Sequence, residues 1–218
     1  MIDRVFVDVD VQHDFCDERG ALFVRGSPND VFQRLTAFAV TRGIPILGSV
    51  DSHAWDAWEF ASNDNRGPNG EDPRFPDHCV KGTPGWLKVP GTLPPRFRFV
   101  ADAVSSRELG ALAAELVGGA TQGLYFEKEV YSLFANRVAE PLLRAFVEAN
   151  GSAPEVLVYG VAADYCVRAA ALGLAERGYR CTLLTDAVAG ITAEGTTAAL
   201  TEMTRAGVRM STAAALLG

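Results

Sequence analysis

Short runs rich in Val, Ile and Leu recur along the chain, at residues 4–9, 44–50, 97–101, 124–127, 155–161 and 180–184. They lack the strict apolar–polar alternation of a sheet with one wet face. Each therefore predicts a strand covered on both sides, as strands of parallel sheets are. Between them, residues 31–42, 106–117, 137–149, 165–177 and 194–206 carry the spacing of helices. Gly43, Gly118, Gly151, Gly178 and Gly207 stand just past those stretches, where a helix-terminating glycine belongs. Strand–helix alternation of this kind predicts right-handed crossovers and an α/β fold, a three-layer α/β/α sandwich around a mostly parallel sheet.

Residues 52–95 break the rhythm. They are rich in Gly, Pro, Asn and Asp, show no period, and hold Trp55, Trp58 and Trp86. A long irregular segment inside a compact domain is usually functional or disordered, and the tryptophans favour an ordered, packed loop. With 218 residues the expectation is a single domain over 1–218 that carries this loop. Its core is large enough to need no disulfide or zinc staple.

Composition narrows the partners. Lys and Arg number 20 against 27 Asp and Glu, a net charge of −7, which argues against a general nucleic-acid binder. A neutral small ligand is unaffected. The opening MIDRVFVDVD has no basic stretch followed by an apolar run of signal length, and no apolar run nears the roughly 20 residues that span a bilayer. A cytoplasmic protein is expected. Cys16, Cys79, Cys166 and Cys181 form no CxxC pair and are expected to be free thiols.

In open α/β sheets, ligands bind beyond the carboxyl ends of the strands. Polar or reactive groups stand there after most of the predicted strands: Asp8 to Asp14, then Asp51 to His53, Lys128, Cys166 and Asp186. One reading of the first strand is an Asp-x-Asp motif resembling the haloacid-dehalogenase-like phosphatases. Asp8 would be the nucleophile and Asp10 the acid, with Ser49 or Ser52, Lys128 and Asp186 completing the site. That reading lacks a second carboxylate beside Asp186, and it leaves Cys166 and the Asp51, His53 and His78 group unused.

The other reading uses more of the chain. Asp10-Val11-Gln12-His13-Asp14-Phe15 resembles the D-x-Q-x-D-F segment of the nicotinamidase and isochorismatase-like cysteine hydrolases. Lys128, with Tyr131-Ser132-Leu133-Phe134 after it, is similar to the lysine segment of that family. Gly160-Val161-Ala162-Ala163-Asp164-Tyr165-Cys166-Val167 resembles its cysteine signature, with Ala163 where Thr is usual. His78-Cys79-Val80-Lys81-Gly82-Thr83-Pro84-Gly85 resembles a nicotinamidase stretch, and Asp186-Ala187 resembles an acidic position after the next strand. The pieces fall in the family's order over about residues 3–210.

The resemblance implies an Asp10–Lys128–Cys166 triad. A cysteine at the start of a helix has its thiolate favoured by the helix N-terminus. Asp10 would take the thiol proton and return it to a departing amine, and Lys128 would stabilise the thiolate and hold the aspartate. Backbone N–H groups of Ala162 and Cys166 are the oxyanion donors, beside a cis peptide at Val161–Ala162 that the family carries. Asp51, His53 and His78 offer one carboxylate and two imidazoles, a set that suits one divalent ion, Zn²⁺ foremost, with Fe²⁺ or Mn²⁺ as alternatives. Glu59 is the best-placed fourth ligand, with Asp56 and Asp64 as alternatives. Phe15, Phe75, Tyr131 and Tyr165 are the expected aromatic walls for a flat ring. Cys16, Cys79 and Cys181 are read as structural, and whether a histidine reaches Cys166 stays open. The implied reaction is the metal-dependent deamidation of nicotinamide. Another small amide, carbamoyl or ureido substrate is the alternative, as is a non-catalytic member of the family. A homodimer or higher homo-oligomer is the expected assembly.

Overall fold

The computed structural model describes residues 1–67 and 70–218. Its centre is a seven-stranded sheet in the order β3-β4-β2-β1-β5-β6-β7, in which every neighbouring pair is parallel. The strands are β1 (Arg4–Val9), β2 (Ile46–Asp51), β3 (Phe97–Val100), β4 (Gly123–Lys128), β5 (Glu155–Val161), β6 (Arg180–Ala189) and β7 (Arg209–Ser211). The helices are α1 (His13–Cys16), α2 (Asn29–Arg42), α3 (Ser106–Val117), α4 (Ala139–Asn150), α5 (Cys166–Glu176), α6 (Ala193–Arg205) and α7 (Ala213–Leu217).

The continuous apolar runs are explained by two cores. Val5, Val7 and Val9 of β1 point into one core with α3, α4, α5 and α6, while Phe6 points into the other with α2 and α7. Leu124 and Phe126 flank Tyr125 in the same way on β4, as Val156 and Val158 flank Leu157 on β5. Both faces of these central strands are dry, so none of the three reads as amphipathic.

Several expectations need correction. β6 runs five residues past 184 to Ala189, after a register shift against β5 between Val158 and Gly160. Asp186 therefore lies inside a strand and not after one. Gly118 does cap α3 as expected, but with φ −78°, an ordinary helical value, while the left-handed turn falls on Gly119. The segments α1, α7 and β7 are too short to carry a periodic signal. Trp55 does not pack, being 78% exposed. Trp86 does: it lies against Phe99 with ring centroids 5.2 Å apart, and its indole N–H donates to Ser52 Oγ.

The sheet turns back on itself at β1, with β2 on one side and β5 on the other. Ligands in such sheets settle beyond the strand ends at that reversal, and the tips of β1, β2, β4 and β5 meet there. Among the described residues no helix is long and apolar enough to cross a membrane.

Candidate active site

Strand register brings the charged groups together. Asp51 and Lys128 are paired positions at the ends of β2 and β4, and Lys128 Nζ lies 2.9 Å from Asp51 Oδ1. Asp10 follows β1 with φ of 49°, a left-handed value that takes it out of the strand's alternation. Its Oδ2 lies 2.7 Å from Lys128 Nζ. Cys166 opens α5 immediately after the β5 turn, and its Sγ is 3.6 Å from the same ammonium. Asp10, Lys128 and Cys166, far apart in sequence, thus converge on one buried point. The Val161–Ala162 peptide is cis. Around it the N–H groups of Ala163, Tyr165 and Val167 donate to backbone carbonyls. Those of Ala162 and Cys166 have no such acceptor among the described residues.

Burial decides the protonation of this group. It pushes the Cys166 thiol well above its usual value, and Lys128, which pulls the other way, is outweighed with Asp10 and Asp51 also opposing ionisation. Burial thus favours the thiol, as expected of a sulfur that gives its proton to a base when it attacks. Burial also works against the charge on Lys128, but Asp10 and Asp51 hold it well above its usual value, so it is an ammonium. For Asp51 the order is similar. Burial opposes its ionisation, yet Lys128 and the two imidazoles keep it well below the usual carboxylate range.

Beside the triad, Asp51, His53, Glu59 and His78 offer ligand atoms that all lie within 4.8 Å of one another, and all four residues are buried. His53 Nε2 is 3.0 Å from Glu59 Oε1 and 3.3 Å from Asp51 Oδ2, and His78 Nε2 is 3.4 Å and 3.5 Å from the same atoms. His78 Nδ1–H donates to the Pro76 carbonyl at 2.8 Å, which leaves the Nε2 lone pair facing the cluster. His53 Nε2 is buried without a hydrogen-bond partner. Two imidazole nitrogens and two carboxylates gathered at one point fit a divalent cation. Glu59 is thus the fourth member, and Asp56 and Asp64 lie outside the group.

The irregular loop is built to hold these ligands. His53 N–H donates to the Cys79 carbonyl and Lys81 N–H to that of His53, so the strands of chain bearing the two histidines are bridged. Glu59 is fixed through its carbonyl, which accepts from the N–H groups of Arg74 and Phe75. The Asp-x-Gln-x-Asp-Phe segment supplies the remaining ties. Gln12 Nε2 donates to the carbonyls of Asp51 and Trp86, and its Oε1 accepts from Asp51 N–H. Asp14 Oδ2 accepts from Cys79 N–H at 2.7 Å, where Cys79 has φ of 47°. A Cβ on Gly85 would stand 2.0 Å from that carboxylate oxygen, so a side chain there would push Asp14 off Cys79 N–H.

Phe15, Phe75, Tyr131 and Tyr165 line one cavity with Cys166, Ala162, Asp51, Glu59 and His78. Tyr165 meets Tyr131 and Phe75 edge-on, with centroids 5.2 Å and 6.3 Å away. Leu22, Val24 and Ile191 also line it, and nothing in their sequence context marked them. His78 faces the cluster and not Cys166, so the described residues hold no Cys–His pair at the nucleophile.

The phosphatase reading fails on geometry. Asp8 is fully buried against Lys88, 2.6 Å away in the α2-side core. Asp186 accepts from the N–H groups of Ala213 and Ala214 at the start of α7. Asp164, part of the cysteine signature, also has a structural task, accepting from the N–H groups of Ile191 and Thr192. Sequence reasoning missed the ties made by Gln12, Asp14 and Ser49. The one available signal was the alternation of Gln12 and Asp14 with Asp10, and nothing marked Ser49.

Comparison with known proteins gives the family. The family model described as Isochorismatase domain matches residues 4–215. The nicotinamidase/pyrazinamidase of Mycobacterium tuberculosis is 32% identical over 213 residues, covering 95% of this chain and 97% of the relative. The nicotinamidase of Escherichia coli is 29% identical, covering 97% and 95%. Among solved structures, the pyrazinamidase of Pyrococcus horikoshii in complex with zinc superposes with a TM-score of 0.69 at 26% identity, covering 96% of this chain and 99% of that one. The chain belongs to the isochorismatase-domain family.

Proposed function

We propose that this protein hydrolyses nicotinamide to nicotinate and ammonia through a thioester on Cys166. The observation that carries the reading is one aromatic-walled cavity bounded both by Cys166 and by the metal-ligand group. The relatives named nicotinamidase and pyrazinamidase support the substrate class.

Asp10 Oδ2 takes the proton of the Cys166 thiol, and the sulfur attacks the carboxamide carbon. The C–S bond forms as the carbonyl π pair moves to oxygen, where the N–H groups of Ala162 and Cys166 receive the charge. On collapse the C–N bond breaks, and the proton on Asp10 goes to nitrogen, so that ammonia leaves instead of amide ion. Water then gives a proton to Asp10 and adds to the thioester. The C–S bond breaks, and the thiol recovers its proton from Asp10. Lys128 keeps its proton throughout. It offsets the negative charge shared by Asp10, Asp51 and the sulfur as the proton moves.

Asp51, His53, Glu59 and His78 would hold one divalent ion, Zn²⁺ foremost, which when bound offers a Lewis-acid contact to a ring nitrogen and so orients the carboxamide. Phe15, Phe75, Tyr131 and Tyr165 clamp the ring and exclude water. Pyrazinamide keeps a ring nitrogen in the same relation to its carboxamide and is expected to be a substrate. Ammonia release from nicotinamide, measured beside a panel of ureido and carbamoyl compounds, tests the reading. Nicotinamide and pyrazinamide should be hydrolysed and the panel left intact, whereas preference for a ureido compound would reject it.

A further inference from the structure

We propose that Ser49 is a positioning residue for proton transfer: its hydroxyl holds one oxygen of Asp10, commits the other to the proton, and drives that proton on from Asp10 to the leaving nitrogen. The inference rests on the reaction proposed above.

Ser49 sits on β2 in register with Val9, the last residue of β1, and its carbonyl accepts from Asp10 N–H at 3.2 Å. Its hydroxyl donates to Asp10 Oδ1 at 2.7 Å, and both residues are fully buried. The other carboxylate oxygen, Oδ2, faces Lys128 Nζ at 2.7 Å, and that ammonium is 3.6 Å from Cys166 Sγ. The groups facing Asp10 are thus Ser49 from β2, Lys128 from β4 and Cys166 from α5. Asp51 lies beyond Lys128, and Asp8 of β1 is engaged by Lys88.

The two oxygens are therefore unequal. Oδ1 is occupied by a hydroxyl donor, so Oδ2 exchanges the proton with sulfur and with nitrogen. A hydroxyl bonds an ionised carboxylate about twice as strongly as a neutral acid. The Ser49 bond weakens when Asp10 takes the thiol proton and recovers when Asp10 gives it to nitrogen. Ser49 thus opposes the first transfer slightly and promotes the second. Deamidation needs the second more, because an amide nitrogen leaves only once protonated. A hydroxyl that merely tied β1 to β2 would have no such asymmetry.

The test compares Ser49→Ala and Ser49→Thr with the wild type in two assays. One is ammonia release from nicotinamide. The other is alkylation of Cys166 by iodoacetamide at neutral pH, followed by peptide mapping to separate it from the other buried cysteines. Removing a hydrogen bond to a charged group should slow turnover roughly ten- to a hundredfold in Ser49→Ala. Alkylation should stay equal or quicken, and Ser49→Thr should restore turnover. Should Ser49→Ala not fold, Ser49→Cys, close in size and a weaker donor, should give the same split. Turnover and alkylation falling together would overturn the inference, as would unchanged turnover or failure of threonine to restore it. Absence of ammonia release from the wild type would instead reject the reaction itself.

Discussion

Single residues in the Asp10–Phe15 segment divide the work, with Asp10, Gln12 and Asp14 at alternate positions and Phe15 next to them. Asp10 faces the nucleophile, Gln12 ties the backbone of Asp51, Asp14 ties Cys79 next to His78, and Phe15 walls the cavity against the His78 ring. The candidate nucleophile, base, lysine and ligands were singled out in the sequence by a family resemblance, carried by reactive residue types that stand after a strand or in the long loop. Ser49 and Gln12 were not legible in these roles, because their partners lie 39 residues away in sequence and only strand register brings them close. Gln12→Leu removes both the donors and the acceptor that fix Asp51. Divalent-ion affinity should fall roughly 10- to 100-fold, as for other ligand-orienting contacts, in a competition titration with a chelating dye. His53 gives a pH dependence. Burial alone would lower its proton affinity, but the carboxylates of Asp51 and Glu59 facing it push its pKa up to about 9 in the metal-free protein. At neutral pH the imidazole thus holds a proton that a cation must displace. Metal uptake should therefore release about one proton, and affinity should rise with pH until about 9. Calorimetric titration in buffers of different ionisation enthalpy measures the proton count.

Strands of four residues or more and helices of eleven or more were predictable, and the short pieces α1, α7 and β7 were not. β5 was expected at 155–161 and found there, because both faces of the strand are apolar. β7, with three exposed residues, carries no hydrophobic pattern at all. α7 is only five residues long, and its identity depends on a local cap, in which Thr212 Oγ1 accepts from Ala215 N–H, and on a distant one, in which Asp186 accepts from Ala213 and Ala214. A local reading sees Asp186 as one more acid near a strand end and assigns it to the site. Asp186→Ala should lower stability by about 1 kcal/mol, the usual cost of a lost helix N-cap. Turnover should be unchanged, since α7 touches none of the triad. Denaturant melts and steady-state rates on the same sample separate the two effects. The long loop follows the same logic. Its tryptophans suggested packing throughout, but the order comes from backbone bridges at His53 and Phe60, and Trp55 stays in solvent.

Over the whole molecule, the fold places two carboxylate–lysine pairs at zero side-chain exposure: Asp10 with Lys128, and Asp8 with Lys88. The first faces the cavity. The second ties the end of the long loop to the centre of the sheet, where burial raises the Asp8 carboxyl against the pull of Lys88. Removing one partner of such a pair leaves a buried charge without compensation. Lys88→Met should cost about 3–5 kcal/mol, and Asp8→Leu combined with Lys88→Met should regain most of it, as read from a double-mutant cycle of denaturant melts. The net charge of −7 then takes on a local meaning, because part of it is drawn to the strand tips, where Lys128 and a divalent cation would meet it. All of this architecture converges on one sulfur at the start of α5. The most direct test of the account is the rate of ammonia release from nicotinamide by Cys166→Ala, a substitution that removes the sulfur and leaves the helix start intact. The account predicts a loss of at least about a thousandfold, of the order by which loss of a catalytic nucleophile slows hydrolases. Turnover near that of the wild type would contradict it.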